Sequence, residues 1–237
     1  MDTTDPEIVF DENGVCNHCH TYDRLVREHI VDGEEGRQRL QSLVDNIKRA
    51  GQSKKYDCII GVSGGVDSTY VAYLVKNLGL RPLAIHLDNG WDSELAVKNI
   101  EETLKRLDIN LYTEVLDWEE FKDLQAAFLK ASTPDSEIPT DHAIVAILGD
   151  MATKLSIKYI IIGNNIRTET HLPRAWSQGH FDWKYIREIY KRYGKGSLKT
   201  FPHFGFFTYY FRMLTQKRVA ILDYIQYTKK EALRVLQ

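Results

Sequence analysis

Residues 63–68 read S-G-G-V-D-S, between an apolar segment and an amphipathic one, and combine glycines, hydroxyls and a carboxylate. The two glycines permit a positive φ and let an anion approach backbone N–H groups that a Cβ would shield. The two serines add hydroxyl donors, and Asp67 adds a carboxylate of the kind that holds Mg²⁺. The segment therefore predicts a phosphate-binding turn at the N-terminus of a helix.

This turn differs from two common phosphate-binding motifs. A Walker loop requires a lysine that reaches the phosphates, and no lysine lies between Lys55 and Lys76. The glycine spacing also differs from the dinucleotide pattern G-x-G-x-x-G. S-G-G-V-D-S instead resembles the pyrophosphate loop of the ATP pyrophosphatase (PP-loop) superfamily, whose members split ATP between its α- and β-phosphates. The resemblance implies that ATP and Mg²⁺ bind at Ser63, Gly64, Gly65, Val66, Asp67 and Ser68, with Ser63, Asp67 and Ser68 nearest the chemistry.

Short apolar segments alternate with amphipathic segments through the middle of the chain. Strands are predicted at residues 56–62, 82–87, 110–116 and 158–163, and helical periodicity follows the first three of them. This alternation favours an α/β fold with a doubly wound, mostly parallel sheet. In such a sheet, ligands bind outside the carboxyl ends of the strands.

Polar side chains follow the predicted strands at this carboxyl edge. Asp88 and Asn89, in the sequence D-N-G-W after the second strand, and Gly163, at the end of the fourth, are predicted to border the nucleotide. The segment after Gly163 carries amide, guanidinium, carboxylate and indole groups, which predicts a substrate-binding loop. The residues of that loop are Asn164, Asn165, Arg167, Glu169 and Trp176.

A further helix is predicted to begin at Thr140, close to the same edge. Asp141 and His142 lie in its first turn, so they either line the substrate site or serve only the structure. His86 and Cys58 alternate with apolar neighbours inside predicted strands, and we interpret both as core residues.

Cys16 and Cys19 have the C-x-x-C spacing of one half of a zinc knuckle. Tetrahedral zinc requires four ligands, so this pair binds zinc only if other residues complete the site. Candidates are an upstream cysteine pair or histidines such as His18, His20 or the distant His203.

The composition restricts the classes of function. The chain has 237 residues, 43% hydrophobic and 27% charged, with a net charge of −2, and its pI is about 6.5. This balance argues against broad nucleic-acid binding. No apolar run approaches the ~20 residues of a membrane span, and three cysteines do not make a disulfide framework. We therefore expect a cytoplasmic protein with no membrane contact.

Three regions are predicted along the chain. Residues 1–23 form a cysteine-containing lead-in, residues 24–170 the ATP-binding domain, and residues 171–237 a substrate region rich in aromatic and basic side chains. In the last region we predict no further βα unit, only a strand at 219–224 and a helix from 229.

Four segments together resemble a more specific family: F-D-E-N-G-V-C-N-H-C (10–19), S-G-G-V-D-S, D-N-G-W and G-N-N-I-R-T-E-T-H-L-P-R-A-W (163–176). They are similar to the N-acetyl sugar amidotransferases of bacterial surface-glycan and lipopolysaccharide O-antigen biosynthesis. The resemblance implies an ATP-dependent ligase that converts the acetamido group of a nucleotide-linked sugar into an acetamidino group. It also implies a partner glutaminase (glutamine amidotransferase) subunit that supplies ammonia.

Members of that family usually carry another C-x-x-C before the segment that begins here at Asp2, and they continue past Gln237. We therefore expect this chain to be an internal part of a longer enzyme.

Two other functions stay open. One is a tRNA-modifying PP-loop enzyme, either a thiolase or a lysidine-type ligase. A thiolase needs reactive cysteines near the loop, and a tRNA enzyme favours a basic surface. The other is a nucleotide-binding protein without catalytic activity.

Overall fold

The computed structural model describes residues 2–31, 33–167, 173, 175–177 and 179–236. The strands are β1 (Cys58–Gly61), β2 (Pro82–Asp88), β3 (Asn110–Val115), β4 (Tyr159–Ile162) and β5 (Lys217–Ala220). The helices are α1 (Asn17–His29), α2 (Gly33–Gly51), α3 (Val66–Asn77), α4 (Glu94–Arg106), α5 (Trp118–Lys130), α6 (Ile138–Lys154), α7 (Trp183–Tyr193), α8 (Phe206–Thr215) and α9 (Lys229–Leu236).

The strands form one parallel sheet in the order β3-β2-β1-β4-β5. Strand β1 lies between β2 and β4, with Ile60 opposite both Ala84 and Ile161. The chain winds from β1 toward one edge of the sheet and then returns to the other side of β1. The point where this strand order reverses opens a crevice at the carboxyl ends of β1 and β4, as expected for a doubly wound α/β fold.

The two faces of the sheet form separate cores because alternate strand residues point to opposite sides. Ile60 and Ile161 pack with Val71 and Val75 of α3 on one face. On the other face, Ile59, Leu83 and Ile160 pack with Ile147 and Leu148 of α6. Burial on both faces explains why these strands read as continuous apolar runs.

No helix in the described part of the chain is long and apolar enough to cross a membrane.

A third apolar cluster joins α5 to α7, with Phe121, Leu124 and Phe128 packed against Ile186 and Tyr190. We predicted no regular element in the sequence of α7, and this prediction is wrong. The helical pattern was present, because Ile186, Ile189 and Tyr190 share a face and the Asp182 side chain caps the N-terminus by accepting from Tyr185 N.

Helix α8 is a second correction, and its pattern is the reverse of a normal amphipathic helix. Phe206, Phe207 and Leu214 are exposed, whereas Arg212 is the buried residue. The Arg212 guanidinium pairs with Asp150 and lies where a Cβ at Gly149 would stand, 2.9 Å from its Cζ. Because the polar residue faces inward and the aromatic residues face outward, the periodicity of apolar residues in the sequence does not predict this helix.

Three boundaries also differ from the predictions. Strand β5 ends at Ala220, and the segment Ile221–Tyr224 is a 3-10 helix, so most of the predicted 219–224 strand is incorrect. Helix α6 begins at Ile138, before the predicted Thr140. Helix α1 begins at Asn17, inside the predicted lead-in.

Asp123 connects α5 to the chain that follows α7. Its Oδ2 accepts hydrogen bonds from Tyr190 Oη (2.8 Å), Lys195 N (2.7 Å) and Gly196 N (3.1 Å). The bond from Lys195 N is the largest of the effects that lower the pKa of Asp123. Burial, and after it the hydrogen bond to Asp123, raises the pKa of Tyr190 to about 12.

We expect Asp123→Ala to lower the free energy of unfolding at pH 7 by about 1.5–3 kcal/mol, because a charged acceptor of several hydrogen bonds is removed. Since the folded-state pKa of Asp123 lies below its ordinary value, its contribution is present above the unfolded-state pKa and disappears as pH falls through the folded-state pKa. Urea titrations from pH 7 to pH 3 should show that the difference in free energy of unfolding between Asp123→Ala and wild type becomes smaller as the pH falls. The control Glu119→Ala, at an exposed position of the same helix, should have nearly the wild-type free energy of unfolding. A loss of stability in Asp123→Ala that does not change with pH would contradict this explanation.

Candidate functional site

The turn between β1 and α3 has the geometry of an anion-binding site. Gly64 has a φ of +71°, and Gly65 is the N-cap residue of α3 with no side-chain cap. The first backbone N–H groups of α3 therefore have no side-chain acceptor at the cap and face the carboxyl edge of the sheet. Gly163 at the end of β4 lies against this helix start, since a Cβ there would be 3.3 Å from Ser68 N. A phosphate group fits this arrangement.

The two serines of the turn have different surroundings. Ser68 Oγ accepts from Ser63 N (3.2 Å) and donates to Gly65 O (3.1 Å), and the residue is buried. Ser63 Oγ lies 3.3 Å from Ser68 Oγ. Ser68 thus stabilises the shape of the turn from inside, and the Ser63 hydroxyl is the one better placed for a ligand.

Asp67 is held from the C-terminal part of the chain. The Tyr227 hydroxyl donates to its Oδ1, and Lys229 Nζ lies 3.4 Å from its Oδ2. A carboxylate accepts about four hydrogen bonds or metal contacts, so these two neighbours leave capacity for a cation. The side chain of Asp67 is one-fifth exposed and lines the cavity described next, so it fits a magnesium ligand.

A cavity of about 680 Å³ lies at the carboxyl edge of the sheet, between the phosphate-binding turn and α6. Eight of the predicted site residues line it: Ser63, Gly65, Asp67, Ser68, Asn89, Asp141, Gly163 and Asn164. One wall is apolar and comes from Ile144, Val145, Ile147 and Leu148 of α6. The size and the mixture of an apolar wall with a few polar groups are typical of a small-molecule site.

Other predicted site residues are not among those lining the cavity. Gly64 and Val66 belong to the turn itself, with Gly64 packed on α4. Asp88 Oδ1 accepts from Gly90 N (2.9 Å) and so shapes the D-N-G-W turn. Asn165 is buried, and Arg167 donates to the carbonyl of Ile225. Trp176 lies in a turn after Pro173, and Glu169 lies outside the described residues.

His142 is a buried residue that contacts His180, one of the residues that line the cavity. It is fully buried, stacks on Phe204 with ring centroids 4.2 Å apart, and its Nδ1 donates to His180 O (2.7 Å). Its Nε2 accepts from Phe204 N (3.4 Å), so both ring nitrogens have partners. Burial lowers the pKa of His142 to about 4, which keeps the ring neutral at physiological pH. Of the two roles left open by the sequence, these contacts favour the structural one for His142, which is not among the residues that line the cavity.

Sequence reasoning missed several residues that line the cavity: His86, Asp92, His180, Phe181 and Arg218. Buried His86, interpreted as a core residue, donates through Nδ1 to Val62 O (3.1 Å), and its Nε2 lies 3.6 Å from Asp92 Oδ2. Cys58 is fully buried, as interpreted, and burial raises the pKa of its thiol.

Arg218 comes from β5 and brings a cation to the cavity. Its guanidinium lies 5.7 Å from the ring of Phe181, and it forms no ion pair with any carboxylate in the described part of the chain. The signal in the sequence was weak, because Lys217 and Arg218 are adjacent and only the sheet decides which of them reaches the cavity.

The lead-in does not complete a metal site from within. Cys16 Sγ lies 3.5 Å from Cys19 Sγ, but His18 pairs with Asp5 (2.5 Å) and His20 pairs with Asp11 (2.8 Å). Among the described residues there is no group of three or more His, Cys, Asp or Glu side chains that could hold a metal ion. Zinc binding by Cys16 and Cys19 therefore has no support from the described residues.

Several known proteins are similar to this chain in sequence. A sequence model of the NAD synthase family matches residues 37–194, more than half of the chain. The tRNA(Ile)-lysidine synthase of Chlamydia pneumoniae is 37% identical over 76 residues, which are 30% of this chain and 23% of that protein. The tRNA-specific 2-thiouridylase MnmA 2 of Fusobacterium nucleatum is 33% identical over 121 residues, 47% of this chain and 34% of that protein.

Among solved structures, the NH3-dependent NAD synthetase from Campylobacter jejuni, in complex with the nitrate ion, is similar with a TM-score of 0.41 and 16% identity. That match covers 56% of this chain and 58% of the synthetase. The chain thus spans well under two-thirds of the length of each of these relatives.

Two glycines with positive φ test whether the phosphate-binding turn depends on close packing. Gly64→Ala adds a Cβ 2.9 Å from Ala96 O, whereas Gly14→Ala, at φ +78°, meets nothing within 4 Å. We expect Gly14→Ala to cost about 1–2 kcal/mol of strain and to leave ATP binding unchanged. Gly64→Ala should cost more and weaken ATP binding, measured by urea unfolding and titration calorimetry. Equal losses in the two variants would show that the packing of Gly64 on α4 is unimportant.

Proposed function

This chain belongs to the NAD synthase family of PP-loop proteins, and from that premise we propose that it is an ATP-dependent ligase that adenylates an amide-type oxygen. The nitrogen of ammonia then replaces that oxygen. We propose that the substrate is a nucleotide-linked N-acetyl sugar, whose acetamido group becomes an acetamidino group. The observation that carries the proposal is the S-G-G-V-D-S turn, which leads into a helix without a side-chain cap at the switch point of the sheet and borders a cavity of about 680 Å³.

The chemistry requires activation because an amide carbon is a poor electrophile. Attack of the amide oxygen on the α-phosphorus of ATP breaks the bond to pyrophosphate and creates AMP as a leaving group. The N–H groups at the start of α3, with the Ser63 hydroxyl, would hold the departing pyrophosphate. When bound, Mg²⁺ neutralises phosphate charge, and Asp67 is the residue that would hold it.

The acceptor would occupy the part of the cavity beyond the phosphates. Asn164 lies at the end of β4 beside the turn, the side chains of α6 provide an apolar wall, and Arg218 provides a cation. A nucleotide-linked sugar has both phosphates for the cation and apolar ring faces for the wall.

Ammonia would come from outside this chain. No cysteine lines the cavity among the described residues, and Cys58 is buried inside β1. A glutaminase built on a Cys–His pair therefore has no counterpart in the described cavity. A separate glutaminase subunit is the proposed source.

A lysidine-type reaction on tRNA is the second candidate, favoured by the identity to tRNA(Ile)-lysidine synthase. It uses the same logic, since an amine attacks a carbon whose oxygen has been adenylated. Thiolation, the reaction named for the other curated relative, is less favoured here because the described cavity offers no thiol. The net charge of −2 argues against a large RNA-binding surface.

ATP–pyrophosphate exchange separates the candidates. We expect exchange, or release of AMP with ammonium present, to depend on an acetamido sugar nucleotide and not on tRNA. Dependence on tRNA would favour the second candidate. ATP binding without exchange for any acceptor would indicate a nucleotide-binding protein without catalysis. Mass spectrometry should detect the exchange of oxygen for an N–H group in the product.

Asp67→Asn tests the loop carboxylate. The amide preserves an acceptor for Tyr227 but removes the charge, so we expect AMP release to fall by ~10²-fold or more. The melting temperature should change little. Tyr227→Phe is the complementary control, because it removes the hydrogen bond that Asp67→Asn keeps and retains the carboxylate; its turnover should stay near wild type. If both variants lose activity equally, Asp67 acts by anchoring the C-terminal segment and not by its charge.

Arg218→Gln tests the proposed acceptor region. Loss of a charge-assisted contact to phosphate costs about 1.5–3 kcal/mol, which corresponds to a ~10–100-fold higher KM for the sugar nucleotide. The Kd for ATP should stay within about twofold of wild type. Lys217→Gln, on the neighbouring residue of β5, should change neither constant. An equal loss of ATP affinity in Arg218→Gln would mean that Arg218 belongs to the ATP-binding part of the cavity.

A further inference from the structure

His180 lies at the rim of the cavity, in the segment that precedes α7. Three oxygen atoms surround its Nε2: Asp135 Oδ2 at 3.2 Å, Ser177 Oγ at 3.2 Å and Asp141 Oδ2 at 3.4 Å. Its backbone carbonyl accepts the 2.7 Å hydrogen bond from buried His142. The ring and the backbone of His180 are thus both held by α6 and the segment just before it, with Ser177 as a further contact to the ring.

These contacts determine where the imidazole proton lies. Two of the three oxygens belong to carboxylates, which can only accept, so Nε2 must carry a hydrogen. Burial disfavours ionisation of Asp135, but the hydrogen bonds from Ser177 and Glu137 N, together with His180, lower the pKa of Asp135. Asp135 is therefore ionised at neutral pH. In the neutral ring, Nδ1 then holds the free lone pair, and it has no hydrogen-bond partner in the part of the chain that the structure describes.

A serine nucleophile is not consistent with this geometry, although Ser177, His180 and Asp135 are the residue types of a hydrolase triad. In a triad, the serine donates its proton to one ring nitrogen and the carboxylate holds the other. Here the Ser177 hydroxyl donates to Asp135 Oδ2 (2.5 Å), and the same Nε2 contacts both groups. The cluster therefore orients His180 and leaves Nδ1 as its reactive atom.

We infer that His180 Nδ1 accepts the proton of the nitrogen nucleophile that attacks the adenylated carbon, with Asp135 and Asp141 as positioning residues. This inference rests on the proposed function. Nitrogen forms its bond to the carbon, the bond from that carbon to the AMP oxygen breaks, and AMP leaves with the electron pair. The proton lost by nitrogen moves to Nδ1, and the imidazolium that results is stabilised by the two carboxylates.

The groups around His180 suit a proton acceptor that is oriented through its other ring nitrogen. Asp135 and Asp141 face its ring, the neutral His142 contacts only its carbonyl, and Arg218 lines the same cavity. The side chain is about one-fifth exposed, so a small amine can approach while most of the ring is held by protein. A base oriented by a carboxylate through its other nitrogen is a recurrent catalytic arrangement.

His180→Gln separates the two halves of the reaction. We expect ATP–pyrophosphate exchange to stay near wild type, because adenylation precedes proton removal. Formation of the nitrogen-containing product from ammonium should fall by ~10²–10⁴-fold. Added imidazole should partly restore product formation in His180→Ala.

His203→Gln is the matched control, since His203 is an exposed histidine that stacks on Trp183 and does not line the cavity. It should behave as wild type in both assays. Normal product formation in His180→Gln, with exchange intact, would overturn the inference and leave the proposed function standing. A wild-type protein without exchange for any acceptor would instead refute the proposed function.

Nitrogen NMR tests the inference without any substrate. In wild-type protein labelled with ¹⁵N-histidine, the neutral His180 ring should be protonated at Nε2 and bare at Nδ1. Asp135→Asn should perturb this resonance pair and spare that of His203. A neutral ring protonated at Nδ1 would overturn the inference, because that nitrogen could not then accept a proton.

Discussion

The packing of the β1–α3 turn against α4 is the constraint on which the site depends. At Gly64 the backbone adopts a left-handed φ and passes so close to α4 that a Cβ would lie 2.9 Å from Ala96 O. This contact places the start of α3 directly beyond the end of β1. Because Gly163 approaches the same helix start from β4, the phosphate-binding turn and the end of β4 become one site. Neither half forms a pocket alone.

The C-terminal segment completes the site through polar contacts. Tyr227 and Lys229 reach Asp67, and β5 brings Arg218 to the cavity. Helix α7 is anchored to α5 by the Tyr190 hydroxyl, which donates to Asp123, and the segment after α7 is anchored by Thr200 N and Phe201 N, which donate to Glu120. The segment that carries His180 leads into α7, so distant anchors determine where a reactive group stands. Elements that alone would be marginally stable are thus held at one cavity.

Corrections to the sequence predictions have a common physical cause. A glutamate three residues after an N-cap is typical of a capping box, and Asp117 does cap α5 by accepting from Glu120 N. The carboxylate of Glu120, however, accepts hydrogen bonds from Thr200 N and Phe201 N. Arg167 likewise bonds Ile225. From the sequence alone, a polar side chain that binds a ligand cannot be distinguished from one that forms a hydrogen bond to a distant backbone group.

The amino-acid sequence by itself determined the local parts: the buried strands, the glycine turn, and hence the doubly wound sheet and the carboxyl edge that holds the cavity. These features depend on periodicity and backbone sterics, which act over a few residues. Only the tertiary structure decided that Arg218 and not Lys217 reaches the cavity, that Arg212 is buried in α8, and that Asp135, Asp141 and His180 meet. Those contacts join residues far apart in the chain, and no local pattern records them.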